Sequence, residues 1–226
     1  MILVHGFTQT ADSWAPVLEA LPPGVDTLPV EVPEAQDFET TAAVIGARGG
    51  PARYVGYSMG GRLCLALALE RPDLVPALVL VSASPGIDDE RERATRRAAD
   101  ERLALDIERD GMDAFLERWL AQPLFESLPR DLAGVETRRR GNSVERLTHQ
   151  LRALGQGVQP SLWHRLPELA MPVLIVTGAY DRKYREVAER MAAAIGDNAR
   201  TETVPAAGHA LHLEQPAVLA ALLAAD

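Results

Sequence analysis

The sequence predicts an α/β protein with a mostly parallel sheet and helices on both faces. Short apolar runs alternate with helical patterns along most of the chain, and this alternation is typical of a parallel sheet with helical crossovers. The run from Ala77 to Val81 is apolar without a break, as expected of a strand buried on both faces. The predicted strands are 2–4, 27–32, 53–57, 77–82, 172–177 and 200–204, and the predicted helices are 13–20, 39–47, 59–70, 184–195 and 216–224.

One long stretch interrupts this alternation. No strand pattern occurs between about residue 87 and residue 166, where the sequence is helical in character and rich in Arg, Glu and Asp. We expect this stretch to form a helical cap inserted between two halves of the sheet. A chain of 226 residues has enough apolar surface for one sizeable core, so we predict a single domain over residues 1–226 that includes the cap.

Composition and charge exclude several function classes. The formal net charge of −9 argues against a general nucleic-acid binder, because binding to phosphates without sequence preference needs a positive field. No apolar stretch approaches the roughly 20 residues that span a bilayer, and no basic segment of a signal peptide precedes the first predicted strand. The single cysteine, Cys64, excludes an intrachain disulfide and is expected to be a small buried apolar residue. We therefore expect a cytoplasmic protein without a nucleic-acid or membrane partner, and no obligate protein partner is evident.

The most specific motif is a G-x-S-x-G centred on Ser58. It follows the predicted strand 53–57 and precedes the predicted helix 59–70, which is the context in which such a serine lies on a tight strand-to-helix turn. Small residues at 56 and 60 let neighbouring chains pass closely. We therefore predict that Ser58 is a catalytic nucleophile or base.

Two loops are candidates for an oxyanion hole near that serine. Backbone N–H groups at the start of the following helix can stabilise negative charge, which favours Met59. The loop after the first strand, which contains His5 and Phe7, is where this arrangement places its second donor. We predict that the donors are the backbone N–H groups of Phe7 and Met59, and that the His5 side chain is structural.

A serine of this kind needs an imidazole and a carboxylate that orients it. Asp181 follows a buried predicted strand, and His209 follows the last strand. Both positions lie at the carboxyl edge of a parallel sheet, where ligands bind. We predict a catalytic triad of Ser58, Asp181 and His209. The remaining histidines, His149, His164 and His212, are expected to be surface or structural residues, with a substrate contact by His212 as a minor alternative.

These motifs resemble the α/β-hydrolase superfamily and, more narrowly, the 2-succinyl-6-hydroxy-2,4-cyclohexadiene-1-carboxylate (SHCHC) synthases of menaquinone biosynthesis. The superfamily resemblance rests on segments 5–7, 56–62, 178–181, 208–212 and 214–216. The narrower resemblance rests on Arg62, on segment 84–87 and the arginine-rich stretch after it, and on segments 119–125, 142–157 and 160–163. The resemblance covers nearly the whole chain. The triad motifs are shared by many activities and indicate only the fold, whereas the cap segments are more specific.

The resemblance implies an α/β-hydrolase fold and a carbon–oxygen lyase. The family eliminates pyruvate from 2-succinyl-5-enolpyruvyl-6-hydroxy-3-cyclohexene-1-carboxylate, without a metal or organic cofactor, and the triad serine acts as the base. The substrate is an anionic small molecule with three carboxylates, which arginines bind by paired hydrogen bonds. Residues that match the family's substrate-binding positions are Tyr57, Arg62, Arg96, Trp119 and one of Arg139 or Arg140, of which Arg139 is preferred.

The sequence departs from the family in two places. Its first strand begins at residue 2, whereas the family usually has a strand pair before it, so we expect that pair to be missing and the sheet to have fewer strands. The segment from Glu31 to Asp37 lacks the glycines of a family loop, which leaves the shape of one pocket wall open. Two alternatives to the lyase are a serine esterase or related acyl hydrolase, with Ser58 as a covalent nucleophile, and a non-catalytic binding protein, which the intact triad makes less favoured.

Overall fold

The computed structural model describes residues 1–225, and at its centre is a six-stranded parallel sheet in the order β2-β1-β3-β4-β5-β6. Each predicted strand is present, with ends that shift by at most two residues. The strands are β1 (Ile2–Val4), β2 (Leu28–Val30), β3 (Arg53–Tyr57), β4 (Ala77–Val81), β5 (Val173–Gly178) and β6 (Ala199–Val204). The helices are α1 (Ala15–Ala20), α2 (Phe38–Gly49), α3 (Met59–Glu70), α4 (Glu90–Leu120), α5 (Val135–Gly141), α6 (Val144–Leu154), α7 (Arg182–Ile195), α8 (Leu211–Glu214) and α9 (Pro216–Ala224).

Side chains of each strand alternate between two apolar layers. In β5, Val173 and Ile175 pack into the layer beneath α2, α3 and α7, while Leu174 and Val176 pack against α1, α8 and α9 on the opposite face. This alternation follows from the twofold side-chain period of a strand. Because both faces are covered, the strands contain almost no polar residues in the middle of the sheet.

The first strand lies inside the sheet. β1 pairs with β2 on one side and with β3 on the other, and no strand precedes it in the described chain. The open parallel sheet agrees with the predicted α/β fold class. None of the helices in residues 1–225 is long and apolar enough to cross a membrane.

The segment between β4 and β5 contains helices and no strand in the described chain. Its longest helix, α4, is two helices joined at Gly111, whose φ of 81° and ψ of 171° are not helical. The cap helices α4 and α6 enclose an apolar cluster of their own, formed by Ala104, Ile107, Phe115, Leu116, Leu147 and Leu151. The cap therefore has an apolar core distinct from the two layers of the sheet.

The segment from Glu31 to Asp37 connects the sheet edge to this cap. The Glu31 carboxylate accepts a hydrogen bond from the Ala11 N–H at 2.7 Å and pairs with Arg146 of α6 at 2.7 Å. His149, also on α6, contacts the Ala35 carbonyl at 2.9 Å. The segment that departs from the family pattern thus anchors one end of the cap through polar contacts.

Candidate active site

Ser58 lies on a strained turn between β3 and α3. Its φ of 49° belongs to a region that residues with a side chain rarely adopt, and such strain persists only where the surroundings enforce it. The enforcement here is close packing: a Cβ on Gly60 would lie 2.2 Å from the Val4 carbonyl oxygen, and a Cβ on Gly56 would lie 2.5 Å from the Gly60 oxygen. The two glycines of the motif are therefore required by the approach of the neighbouring backbone.

Asp181, His209 and Ser58 form one hydrogen-bonded chain. The Oδ2 atom of Asp181 lies 2.6 Å from Nδ1 of His209, and Nε2 of His209 lies 3.2 Å from Oγ of Ser58. A proton on Nδ1 donates to the carboxylate, which leaves Nε2 free to accept the serine proton. The structure thus brings the three predicted residues together although 151 positions separate Ser58 from His209.

The edges of two strands position Asp181 and His209. Asp181 follows β5 and is the N-cap of α7, where its Oδ1 accepts the Tyr184 N–H at 3.3 Å. The Tyr184 ring lies 4.5 Å from the His209 ring, measured between centroids. Both Asp181 and His209 are buried, and the imidazole is held between a carboxylate and an aromatic ring.

The predicted oxyanion donors lie beside Ser58. Met59 is the first residue of α3, so its N–H has no acceptor within the helix. Phe7 lies in a turn closed by the hydrogen bond from the Gln9 N–H to the Gly6 carbonyl at 3.2 Å. Both residues line the cavity next to Ser58, and their role as donors stays a prediction.

A cavity of about 400 Å³ opens over Ser58 between the sheet edge and the cap. One wall comes from the loops after β1 and β3, and the other comes from α4, α6 and the segment after α4. The predicted residues on its walls are Phe7, Tyr57, Ser58, Met59, Arg62, Arg96, Trp119 and His209.

The two cavity arginines differ in their partners. Arg62 is buried, and it donates to the Gln159 Oε1 at 2.7 Å and to the Leu154 carbonyl at 2.8 Å. Burial lowers the pKa of Arg62 to about 10, so the group stays charged at neutral pH. Arg96 instead pairs with the buried Asp100 carboxylate at 2.7 Å. Arg62 therefore brings a positive charge to the cavity that neither of these neutral partners cancels.

The prediction that Arg139 lines the pocket is wrong. Arg139 is exposed and pairs with Asp113 and Glu136, each at 2.6 Å, and Arg140 is also exposed and pairs with Glu136. The arginine of α5 that turns inward is Arg138. Successive residues of a helix point about 100° apart, so only one of three consecutive arginines faces the interior.

Arg138 lies behind the cavity and not on its wall. Its guanidinium donates to Thr8 Oγ1 and, at 2.8 Å, to the Ala133 carbonyl. Burial lowers the pKa of Arg138 to about 10, and its charge acts on the Tyr57 hydroxyl. Arg138 thus connects α5 of the cap to the loop after β1.

The remaining histidines and Cys64 do not line the cavity. In His5, Nδ1 lies 2.9 Å from the Gly6 carbonyl oxygen, and Nε2 lies 3.0 Å from the Val32 nitrogen and 3.3 Å from the Glu31 carboxylate, so both ring nitrogens contact polar groups of the protein. His212 is buried, with its ring 4.0 Å from that of Tyr57. Burial, assisted by the positive charge of Arg138, lowers the pKa of His212 well below its usual value.

Cys64 is buried, and burial raises its thiol pKa. The exposed His164 and the half-buried His149 lie away from the cavity.

Five polar residues of the cavity were missed in the sequence: Asp100, Gln122, Gln150, Gln156 and Tyr184. Tyr184 lines the cavity and receives a hydrogen bond from Gln156 at 3.2 Å. Its position one helical turn after Asp181 is a signal that could have identified it. Gln150 also lines the cavity, and it interrupts the apolar stripe of α6 at helical spacing from Leu147 and Leu154. A polar residue on an apolar stripe is a local signal of the same kind.

Comparisons with known proteins agree with this geometry. Residues 1–222 match the model of the alpha/beta hydrolase family. A Bacillus subtilis (strain 168) protein assigned as a 2-succinyl-6-hydroxy-2,4-cyclohexadiene-1-carboxylate synthase is 35% identical over 96% of this chain and 85% of its own length. The synthase of that name from Salmonella heidelberg (strain SL476) is 30% identical over 96% of this chain and 89% of its own length.

Solved structures show the same similarity. MenH from S. aureus superposes with a TM-score of 0.90 at 27% identity, over 99% of this chain and 91% of that one. A thermophilic esterase from Thermogutta terrifontis has a TM-score of 0.81 at 22% identity, over 98% of this chain and 86% of that one. The second comparison extends to the fold alone.

Proposed function

The chain belongs to the α/β-hydrolase family, and because it is similar over nearly its whole length to SHCHC synthases, we propose that it is a carbon–oxygen lyase of menaquinone biosynthesis. Its substrate is 2-succinyl-5-enolpyruvyl-6-hydroxy-3-cyclohexene-1-carboxylate, and its products are SHCHC and pyruvate. The observation that carries the proposal is a triad serine in the same cavity as the buried Arg62, whose two hydrogen-bond acceptors are both uncharged. That cavity suits an anionic group.

The triad supplies the base for the elimination. Ser58 Oγ takes the proton from the ring carbon that bears the succinyl group and passes its own proton to His209, which Asp181 orients. The negative charge spreads into the succinyl ketone, whose oxygen faces the N–H groups of Phe7 and Met59. The ring double bond then shifts, and the bond between carbon 5 and the enolpyruvyl oxygen breaks with its electron pair going to the oxygen. The released enolate of pyruvate takes up, at its methylene carbon, the proton that His209 holds, which gives pyruvate and restores the imidazole.

The arginines hold the carboxylates while this happens. Arg62 lies near the base of the cavity and Arg96 lies at its cap side, since they belong to α3 and α4 respectively. Arg96 is already paired with Asp100, so a substrate carboxylate there joins an existing ion pair. Tyr57 and Trp119 supply aromatic walls for the ring. No step of this elimination transfers electrons to an acceptor.

The test is direct measurement of pyruvate release. The purified protein is given the substrate, and pyruvate is followed by coupled reduction to lactate. We expect Ser58→Ala and His209→Ala to lower kcat by about 1000-fold or more while circular dichroism shows an unchanged fold. Ser161→Ala, whose hydroxyl contacts Asp88 outside the cavity, is the matched control and should keep wild-type kcat.

A serine esterase is the second candidate. The same 3.2 Å contact between His209 and Ser58 would activate the serine as an acyl nucleophile. A parallel assay with p-nitrophenyl acetate separates the esterase from the lyase. The buried cation in the cavity favours the lyase, because an esterase for neutral esters does not need it. Rapid ester turnover without pyruvate release would reject the lyase in favour of the esterase.

A cytoplasmic location is part of the proposal. It is supported by the single cysteine of the chain, which cannot form an intrachain disulfide. Disulfides persist mainly in proteins of oxidising compartments. Cell fractionation with an antibody against the chain tests it, and recovery with the membrane or extracellular fraction would contradict it.

A further inference from the structure

The side chain of Gln150 has no hydrogen-bond partner although it is buried. Gln150 is 1% exposed, and neither Nε2 nor Oε1 contacts a polar atom within residues 1–225. Buried polar groups are paired in the large majority of cases, and each exception needs an explanation. Gln150 is one of the residues that line the cavity over Ser58, so a molecule bound there lies next to its side chain.

The protein around Gln150 offers the amide no alternative. Leu147, Leu151 and Leu154 are its neighbours on the same side of α6, and the first two belong to the apolar cluster of the cap. Two polar pairs of the cavity wall are already engaged with each other: Arg96 pairs with Asp100, and Gln156 donates to Tyr184. The Nε1 of Trp119 on the same wall is a donor without a partner in the described chain. An apolar residue at position 150 would fit these surroundings better, which indicates that the amide serves a ligand.

The chemistry of a free amide selects the group that it binds. Its NH₂ donates and its oxygen accepts, and both are unused here. A carboxylate or a ketone only accepts, so it would leave Oε1 unpaired and, in the case of a carboxylate, place a negative charge beside it. A hydroxyl donates and accepts at once, and therefore satisfies both halves of the amide.

We propose that Gln150 binds the ring hydroxyl of the substrate and makes the enzyme selective for a hydroxylated ring. The inference rests on the proposed function. Relatives of this chain are named for a product that carries this hydroxyl at position 6, so the hydroxyl survives the elimination and takes part in no bond that breaks. The carboxylates are left to the guanidinium groups of Arg62 and Arg96.

This role predicts a particular kinetic signature. The contact with a hydroxyl that does not react stabilises the bound substrate and the transition state by the same free energy. Loss of that contact therefore raises KM more than it lowers kcat. We expect Gln150→Met to raise KM by about 10- to 100-fold, because the substrate hydroxyl is then buried without a partner, with kcat within about threefold of wild type.

The experiment compares two substrates with three proteins. The substrates are the hydroxylated compound and an analogue without the ring hydroxyl, and the proteins are wild type, Gln150→Met and Gln36→Met. Gln36 is exposed and lies outside the cavity, so it is the matched control. In Gln150→Met, the ratio of kcat/KM for the hydroxylated compound to kcat/KM for the analogue should fall at least about tenfold, whereas Gln36→Met should keep the wild-type ratio.

A thermal melt of the free proteins separates a ligand contact from a structural role. An amide without a protein partner contributes nothing to the fold, so Gln150→Met should melt at or above the wild-type Tm. A variant that fails to fold, or that melts several degrees lower, would overturn the inference, because Gln150 would then have a structural role.

Failure of the inference differs from failure of the proposed function. If the wild-type protein releases no pyruvate from either compound, the proposed function is wrong and the assignment of Gln150 falls with it. If the wild type releases pyruvate and Gln150→Met loses the same factor with both compounds, or loses nothing, the assignment of Gln150 alone is rejected.

Discussion

The arginines in and behind the cavity differ in what surrounds each guanidinium group. Arg62 is buried against the neutral oxygens of Gln159 and Leu154, whereas Arg96 has the carboxylate of Asp100 beside it. A buried cation without an anion is unfavourable in the free protein, so an anionic ligand recovers the most binding energy at Arg62. Whether an arginine offers its positive charge to a ligand therefore depends on the groups that it already contacts in the protein.

Arg62 and Arg139 form a matched pair for mutation. We expect Arg62→Met to lower kcat/KM for pyruvate release by at least about 100-fold, or ~2.7 kcal/mol, because a buried cation that contacts a carboxylate is removed. Arg139→Met should change kcat/KM by less than about threefold, because exposed ion pairs contribute little. Steady-state kinetics of both variants measures the difference, and equal losses would contradict the placement of Arg139 outside the cavity.

His212 should make stability depend on pH. Its folded-state pKa is lowered well below 6.5 by burial and by Arg138, so the unfolded chain binds a proton at this residue before the folded chain does. This contribution to stability is present above pH 6.5 and is lost as the pH falls. Between pH 7.5 and pH 5.5, wild type should lose about 1.4 kcal/mol more of its free energy of unfolding than His212→Asn.

The measurement for His212 is urea denaturation at both pH values. His164→Asn is the control, because His164 is exposed and its replacement should leave the wild-type pH dependence unchanged. Parallel pH profiles for wild type and His212→Asn would show that protonation of this ring does not couple to folding.

At the scale of elements, the longest helix of the cap bends at one glycine. Gly111 has a φ of 81° and a ψ of 171°, a combination that only glycine adopts readily. A Cβ at this position would meet no atom within 4 Å, so space does not require a glycine here and the backbone conformation does. The bend lets the two halves of α4 wrap around the apolar cluster of the cap.

Gly111→Ala tests this requirement. We expect the free energy of unfolding to fall by about 1–3 kcal/mol, because alanine is strained at this φ and ψ. Glu117→Ala, at an exposed position of the same helix, should change it by less than about 0.5 kcal/mol. Chemical denaturation measures both, and a Gly111→Ala protein as stable as wild type would mean that α4 can straighten without cost.

At the scale of the whole molecule, the cap and the sheet have separate apolar cores. Six buried residues form the cap cluster, and Phe7 and Trp119 are among the partly buried side chains packed against it. Phe7 also packs on one layer of the sheet and Trp119 on the other. Polar contacts such as Glu31 with Arg146 add to this connection. A small cluster with few connections opens more easily than the main core.

Hydrogen exchange should reveal this difference. Amides of α6 should exchange through an opening of lower free energy than amides of β5, which is buried along its whole length. Substrate bound to the inactive Ser58→Ala variant should slow exchange in α6, because the ligand joins the cap to the loops of the sheet. Equal protection of α6 and β5 in the free protein would show that the cap and the sheet open as one unit.

The sequence alone determined the six strands, the turn at Ser58, and Ser58, Asp181 and His209 as the residues that form one hydrogen-bonded chain. These follow from local causes: unbroken apolar runs form buried strands, and a serine between two glycines at a strand-to-helix junction forms the turn. Even the family relationship could be inferred, because the cap segments carry it in short stretches of adjacent residues.

Only the tertiary structure decided which polar groups meet in the cavity. Three consecutive arginines are equivalent in the sequence, and the packing of α5 against the loop after β1 turns Arg138 inward and leaves Arg139 exposed. Likewise, Gln150 is one of many glutamines until α6 packs over the cavity and leaves its amide without a partner. The apolar stripe of α6 marks Gln150 as unusual, but the burial and the partners of its amide depend on segments far apart in the chain, so the local pattern does not contain them.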